Sequence, residues 1–87
     1  MPVAVKIPTA LRPVAGGRAV VEAEGGTVRA VVTGIDGVRQ RVLDDQGQVR
    51  VHVNLFVNGA HIRERDGLDT ALKDGDEVVI LPAVSGG

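Results

Sequence analysis

The sequence predicts a single α+β domain in which one main helix covers one face of a mixed β-sheet of about four to five strands. Near the start of the 87-residue chain, Val3, Val5 and Ile7 alternate with other residues, which indicates a half-buried strand. The same alternation recurs over residues 51–57. Between these two strands, four apolar residues have the spacing of one helix face: Val28, Val31, Val32 and Ile35.

The first two strands are expected to form a hairpin with an unusually long connection. Pro8 ends the first strand, and a loop is expected to run through Leu11-Arg12-Pro13 to Gly16-Gly17. Residues 18–23 predict the second strand, because β-branched residues occupy its centre.

The helix that follows is predicted to be short. Thr27 is expected to cap it, because a threonine hydroxyl can accept a hydrogen bond from a free amide of the first turn. Gly34 and Gly37 are expected to interrupt it, which leaves a second short helical piece over residues 38–43. A turn over residues 44–47 completes this half of the chain.

The second half of the chain predicts a tight hairpin and a final strand. The odd-numbered residues of 51–57 are expected to face the core, and residues 60–62 to form the short return strand. Asn58-Gly59 suits the type I′ turn between them, because both central residues of that turn need a positive φ. Residues 77–81 predict the last strand, which Pro82 is expected to stop. If the first and last strands pair in parallel at the centre of the sheet, the arrangement is the β-grasp, the fold of ubiquitin.

Composition argues against several classes of partner. The ten basic and eleven acidic residues are scattered and give a net charge of −1, and Phe56 is the only aromatic residue, so a nucleic-acid partner is not expected. There is no cysteine, and two separated histidines, His52 and His61, make a poor metal site. The N-terminus has no apolar run long enough for a signal peptide or a membrane span, so we expect a cytoplasmic protein with no membrane partner.

The C-terminal segment is the most distinctive part of the chain. Residues 1–81 are expected to form the domain, and residues 82–87 an extended, flexible tail. The tail comprises Pro82, Ala83, Val84, Ser85, Gly86 and Gly87. Glycines lack Cβ, so the final pair can pass through a narrow channel in another protein. Taken alone, such a pair is a weak signal, because a frayed terminus often has the same composition.

Four stretches then identify a family. They are Val5-Lys6-Ile7-Pro8-Thr9-Ala10-Leu11-Arg12-Pro13, Val53-Asn54-Leu55-Phe56-Val57-Asn58, Leu72-Lys73-Asp74-Gly75-Asp76-Glu77-Val78 and Ile80-Leu81-Pro82-Ala83-Val84-Ser85-Gly86-Gly87. With these stretches the chain resembles, from end to end, the ubiquitin-like sulfur-carrier proteins of the ThiS/MoaD type. The Ile-Pro-Thr-x-Leu-Arg-Pro pattern favours the CysO-type carriers of bacterial cysteine biosynthesis over the thiamine and molybdopterin carriers. Residues 27–43 look shorter than is usual in the family.

The resemblance implies a carrier with no catalytic residue and no bound cofactor of its own. A ubiquitin-activating-like adenylyltransferase of the MoeB/ThiF type would consume ATP to adenylate Gly87, and sulfide or a persulfide would then produce a thiocarboxylate. In the cysteine-type carriers the sulfur acceptor is a pyridoxal-phosphate (PLP)-dependent cysteine synthase, and a zinc JAMM-type metalloprotease releases the product. Another sulfur-transferring synthase, such as one that builds a thiosugar, is the alternative acceptor.

Two questions stay open at this point. An activated Gly87 also fits a protein modifier, in which a substrate lysine captures the tail, and a β-grasp adaptor with an inert tail is a third possibility. Phe56, Val79 and Leu81 are predicted to share the outer face of the sheet. They either form an exposed apolar patch that docks partner enzymes or lie under the short strand or a loop.

Overall fold

The computed structural model describes residues 2–82, and its five strands form one mixed sheet. The strands are β1 (Val3–Lys6), β2 (Val20–Ala23), β3 (Val53–Val57), β4 (Ala60–His61) and β5 (Glu77–Pro82). Their order across the sheet is β2-β1-β5-β3-β4. The strands β1 and β5 pair in parallel at the centre, and the other neighbours are antiparallel. The predicted β-grasp arrangement is therefore confirmed.

The helical layer consists of α1 (Val28–Thr33) and α2 (Arg39–Val42). The Thr27 hydroxyl oxygen accepts a hydrogen bond from the Ala30 amide at 3.2 Å, so the predicted cap is confirmed. The valines of α1 are fully buried, and this burial against the sheet outweighs their low helix propensity. Within residues 2–82 no helix is both long and apolar enough to cross a membrane.

The break between α1 and α2 falls at the glycines, as predicted. Gly34 caps the end of α1. Gly37 has a φ of +84°, and a Cβ built there would lie 2.5 Å from the backbone oxygen of Val14. A side chain at this position would therefore strain the backbone and push the chain away from the segment that contains Val14.

One face of the sheet and the two helices enclose a single apolar core. Leu55 of β3 and Ile80 of β5 are its largest fully buried side chains. Val5 of β1 lies on the same face of the sheet, and Val32 of α1 and Val38 close the core from the helical side. The period-two and helix-face patterns of the sequence therefore identify most of the core correctly.

The long connection after β1 differs from the predicted loop. It forms a 3-10 helix over Thr9–Ala15, which begins after Pro8 and ends at Gly16. The Leu11 amide donates to the Pro8 carbonyl at 2.9 Å, and the Gly17 amide donates to the Arg12 carbonyl at 2.6 Å. Such short helices have no 3.6-residue apolar period, so the pattern of the sequence does not reveal them.

The strand predicted over residues 51–57 begins two residues later, and Val51 is not a core residue. Val51 is 99% exposed and lies in a turn that the Val53 amide closes by donating to the Arg50 carbonyl at 3.0 Å. The neighbouring strand β5 pairs with β3 only as far as Val53, opposite Pro82. Residues 51 and 52 therefore belong to the turn before β3 and not to the strand.

The ends of the other strands also differ from the prediction. The strand β2 begins at Val20 instead of Arg18, and Ile62 starts a 3-10 helix (Ile62–Glu64) instead of completing β4. A further 3-10 helix covers Gly67–Asp69. Pro82 is the last residue of β5 and not the first residue beyond it. Because a strand end needs no further N–H donor, proline is tolerated there.

The turn between β3 and β4 has the predicted geometry. Asn58 and Gly59 have φ values of 49° and 88°, as a type I′ turn requires. The Asn58 side chain also ties this turn to β5, because it accepts from the Glu77 amide at 3.0 Å and donates to Asp76 at 3.1 Å. The other Asp76 oxygen accepts from the Lys73 amide at 2.9 Å. One buried carboxylate thus joins the turn to the start of β5.

The Asp76 carboxylate is expected to make the stability of the fold depend on pH. The hydrogen bonds from Lys73 and Asn58 lower the pKa of Asp76 below its ordinary value. The ionised Asp76 carboxylate therefore stabilises the folded state at pH values above the pKa of an aspartate in the unfolded chain, about 3.9. This stabilisation is lost as the pH falls through the lower pKa that Asp76 has in the folded state. We expect Asp76→Asn to melt below the unaltered chain at pH 7, and the gap to narrow below about pH 4. Thermal unfolding followed by circular dichroism from pH 7 down to pH 3 measures this; a constant gap would contradict it.

Candidate functional site: the outer face and the end of the central strand

The central strand β5 leads to one end of the sheet. Its last residue, Pro82, is exposed and lies opposite Val53 of β3. On its other side β5 is paired with β1 only as far as Val79, opposite Lys6. The end of β5 therefore extends past its parallel neighbour and is open on that side.

The segment after β1 begins where the pairing of β1 with β5 ends. Pro8 turns the chain from β1 into the 3-10 helix over Thr9–Ala15. The Arg12 Nε donates to the Ile7 carbonyl at 3.2 Å and holds the helix against the end of the strand. The Ile-Pro-Thr-x-Leu-Arg-Pro pattern thus forms a 3-10 helix that is tied to the residue directly after β1.

The three predicted docking residues lie together on the outer face. Phe56 is directly opposite Val79, and Leu81 is opposite Asn54. Leu81 is 45% exposed, while Phe56 and Val79 are half-buried. They form a continuous apolar strip, called here the outer apolar strip, which runs along β3 and β5 toward Pro82.

The short strand covers part of this strip. His61 of β4 packs the edge of its ring against Phe56, with the ring centres 5.0 Å apart and the planes at 74°. The His61 Nδ1 accepts from the Arg63 amide at 3.0 Å, so Nε2 carries the proton and donates to the Asn54 Oδ1 at 3.0 Å. The strip is therefore shielded at Phe56 and open at Leu81, which combines the two predicted alternatives.

Charged groups border the strip on the β1 side. The Lys6 ammonium lies 3.4 Å from the Glu77 carboxylate, and both side chains are about half exposed. A surface ion pair of this kind contributes little to stability. Together with His61 it gives the apolar strip a polar rim, which is the usual composition of a transient protein interface.

Alternation placed Asn54 on this face beside Phe56, but it assigned no role there to His61, Lys6 or Glu77. The register places all four polar residues on the face. One signal does exist for His61: a two-residue loop at Asn58-Gly59 fixes the register, and this register places His61 opposite Phe56. Within residues 2–82 no group of three or more metal-binding side chains comes together.

The remaining predicted site residues are Ala83, Val84, Ser85, Gly86 and Gly87. They lie outside the described residues, and their roles stay predictions. What the structure provides is the point from which they continue, at Pro82 on the exposed end of the central strand.

The fold and this face define a ubiquitin-like β-grasp protein. The chain belongs to the ThiS family, whose family model matches residues 5–87.

Comparison with curated relatives points to one branch of that family. The sulfur carrier protein CysO of Mycobacterium tuberculosis is 44% identical over 93 aligned positions that cover both proteins completely. The crystal structure of that CysO matches with a TM-score of 0.87, over 94% of this chain and 99% of the other. The small archaeal modifier protein 3 of Haloferax volcanii is 41% identical over 72% of this chain and 67% of its own length.

A third comparison concerns an assembly. The crystal structure of an Amycolatopsis orientalis BexX/CysO complex contains a chain that is 38% identical and matches with a TM-score of 0.87, over 98% of this chain and 99% of that one. The chain is therefore a homologue of the CysO-type carriers. Its role is that of a ubiquitin-like sulfur carrier and not of an enzyme.

Proposed function

We propose that the chain carries sulfur as a thiocarboxylate on Gly87 and delivers it for the synthesis of cysteine. The observation that carries the proposal is the open end of β5, from which five further residues lead to Gly87. The family match extends through residue 87, and the CysO relatives are covered over their whole length, which supports the comparison of this end with theirs.

The chemistry needs an activating partner. In the proposed first step the Gly87 carboxylate attacks the α-phosphorus of ATP, so that pyrophosphate leaves and an acyl adenylate forms. Sulfide, or the terminal sulfur of a persulfide, then attacks the acyl carbon and AMP leaves with the bonding electrons. With a persulfide, a thiol must then cleave the remaining sulfur–sulfur bond. An adenylyltransferase of the MoeB/ThiF type supplies the ATP site, and we place this chemistry in the cytoplasm.

The proposed acceptor is a pyridoxal-phosphate-dependent cysteine synthase, followed by a zinc JAMM-type protease that releases cysteine. The names of the CysO relatives support this assignment. The Amycolatopsis complex supports docking of such a carrier on a partner, so a different sulfur-transferring synthase is the alternative acceptor.

A second candidate function is protein modification. The relationship to the small archaeal modifier protein 3 favours it, because a lysine amine can attack the same acyl adenylate as sulfide does. The two functions therefore share activation at Gly87 and differ only in the nucleophile.

Intact-mass spectrometry distinguishes these functions. The chain is incubated with ATP, a MoeB/ThiF-type enzyme and a sulfide source, with and without lysine-bearing acceptor proteins. Replacement of one carboxylate oxygen by sulfur is the expected result. Conjugates linked to lysine would support the modifier, and an unchanged mass, with the enzyme proved active on its own carrier, would overturn both proposals.

We expect the outer apolar strip to contact the activating enzyme. Replacing the exposed Leu81 by arginine puts a charge into the centre of that contact and should lower kcat/KM for loading about tenfold, as loss of one interface anchor does. The matched control is Val51→Arg, because Val51 is an apolar and more exposed side chain that lies in the turn before β3 and is not part of the strip. Equal loading rates of the two variants would contradict a docking role for Leu81.

A further inference from the structure

The free edge of β2 is separated by β1 from the strands that carry the outer apolar strip. At one side of the sheet β2 has only β1 as a neighbour. At the other side β4 is only two residues long and continues directly into a 3-10 helix. The strand β2 has four residues, so it is the longer of the two edges and the better template for an added strand.

Hydrogen-bond alternation determines which backbone groups point to this edge. The Ile7 amide donates to the Ala19 carbonyl at 2.8 Å, which makes these two residues a hydrogen-bonded pair. Such pairs alternate along an antiparallel ladder, so Val5 with Val21 is the next one. The N–H and C=O groups of Val20 and Glu22 therefore point away from β1 toward the open side.

A groove of about 530 Å³ lies beside this edge, between β2, the end of α1 and the end of the first 3-10 helix. Its apolar lining comes from Val14, Val21, Ala23 and Ile35. These side chains are only partly covered, apart from Ile35, which forms the floor. The groove is thus open to a chain that lies along β2.

The charge around the groove is mainly negative. Glu22, Glu24 and Asp36 line it, alongside Arg18. None of the three acids forms an ion pair with another residue of the described range 2–82. Their field is therefore available to a positively charged partner, and Glu22 places one of the charges on β2 itself.

We propose that β2 and this groove bind an extended basic segment of a partner protein as a sixth strand. Side chains of an added strand alternate between the two faces of the sheet. Lysine or arginine residues on one face would lie beside Glu22, and small apolar residues on the other would pack on Val21 in the groove. A second copy of this chain fits less well, because pairing two β2 strands brings their glutamates together.

The proposal does not depend on Gly87 or on the outer apolar strip, so its test needs no activating enzyme. The chain labelled with ¹⁵N is titrated with a capped peptide of three Lys-Val repeats, and amide shifts are followed. We expect saturable shifts centred on Val20 and Glu22, and about tenfold slower hydrogen exchange at those two amides. A peptide of three Glu-Val repeats is the matched control and should give no saturable shift.

Two variants separate backbone pairing from charge. Glu22→Pro removes an outward N–H without touching the bonds to β1, so the spectrum should stay dispersed while peptide binding is lost. If that variant unfolds, the double variant Glu22→Lys with Glu24→Lys tests the proposal instead. It should bind the Glu-Val peptide and no longer bind the Lys-Val peptide. No saturable shift at millimolar peptide, equal response to both peptides, or shifts centred on β3 and β4 would overturn the proposal. Concentration-dependent shifts of the same amides without peptide would instead assign the edge to self-association and also overturn it.

Discussion

Deleting Gly87 is expected to abolish sulfur loading and to leave the free energy of unfolding within about 0.5 kcal/mol of the full chain. The core of the described residues extends from Val3 to Ile80, and residues 82–87 are predicted to form an extended tail that adds no packing to it. Removing one residue from an extended segment withdraws the terminal carboxylate by about 3.5 Å. Misplacement of a reacting group by only about 1 Å can lower a rate by about 10²-fold. Loss of detectable thiocarboxylate in the intact mass is therefore the expected result.

A matched variant distinguishes the position of the carboxylate from the shape of the last residue. Gly87→Ala keeps the carboxylate in place and adds only a Cβ, so it should be loaded more slowly but still measurably. Urea unfolding of both variants reports on the domain. Normal loading of the deletion variant would show that the reacting carboxylate does not need residue 87, and a large loss of stability would show that the tail packs on the domain.

The second large effect is expected in the core. Leu55→Ala should lower the free energy of unfolding by about 2–5 kcal/mol, because it removes a fully buried side chain and leaves a cavity. Leu55 lies on β3 opposite Ile80 of β5, so the cavity would open beneath the strand that leads to Pro82. Urea denaturation followed by circular dichroism measures the change.

The matched control for this variant is Val51→Ala. Val51 is 99% exposed, and its truncation should change the free energy of unfolding by less than about 0.5 kcal/mol. A loss below about 1 kcal/mol for Leu55→Ala would mean that β3 is not held as tightly as its burial indicates.

Side-chain periodicity allowed most of the core to be predicted. Val28, Val31 and Val32 are buried where the helix spacing placed them, and Val5 and Leu55 where the strand alternation did. Val51 obeys the same alternation but is exposed, because alternation does not show where a strand begins, and Val51 lies in the turn before β3. The 3-10 helix over Thr9–Ala15 was missed because its hydrogen bonds are local and impose no long apolar period.

The site was predictable to a similar extent. Alternation placed Phe56, Val79 and Leu81 on one face, and the register confirms that they adjoin. Whether they are open to a partner depends on His61, whose position follows from tertiary pairing and two hydrogen bonds. The groove beside β2 was not predicted, because it lies between three elements whose relative placement is set by tertiary packing and not by side-chain periodicity.

The parallel pairing of β1 with β5 also bears on how the protein is made. It joins strands from opposite ends of the domain, and β5 carries two of the three residues of the outer apolar strip. During synthesis the centre of the sheet therefore stays open until residue 82 has left the ribosome, and contacts this distant in sequence slow folding. A chain interrupted before β5 would lack both the finished sheet and the path to Gly87. An activating enzyme that requires the folded face would then load sulfur only on chains that have been completely synthesised.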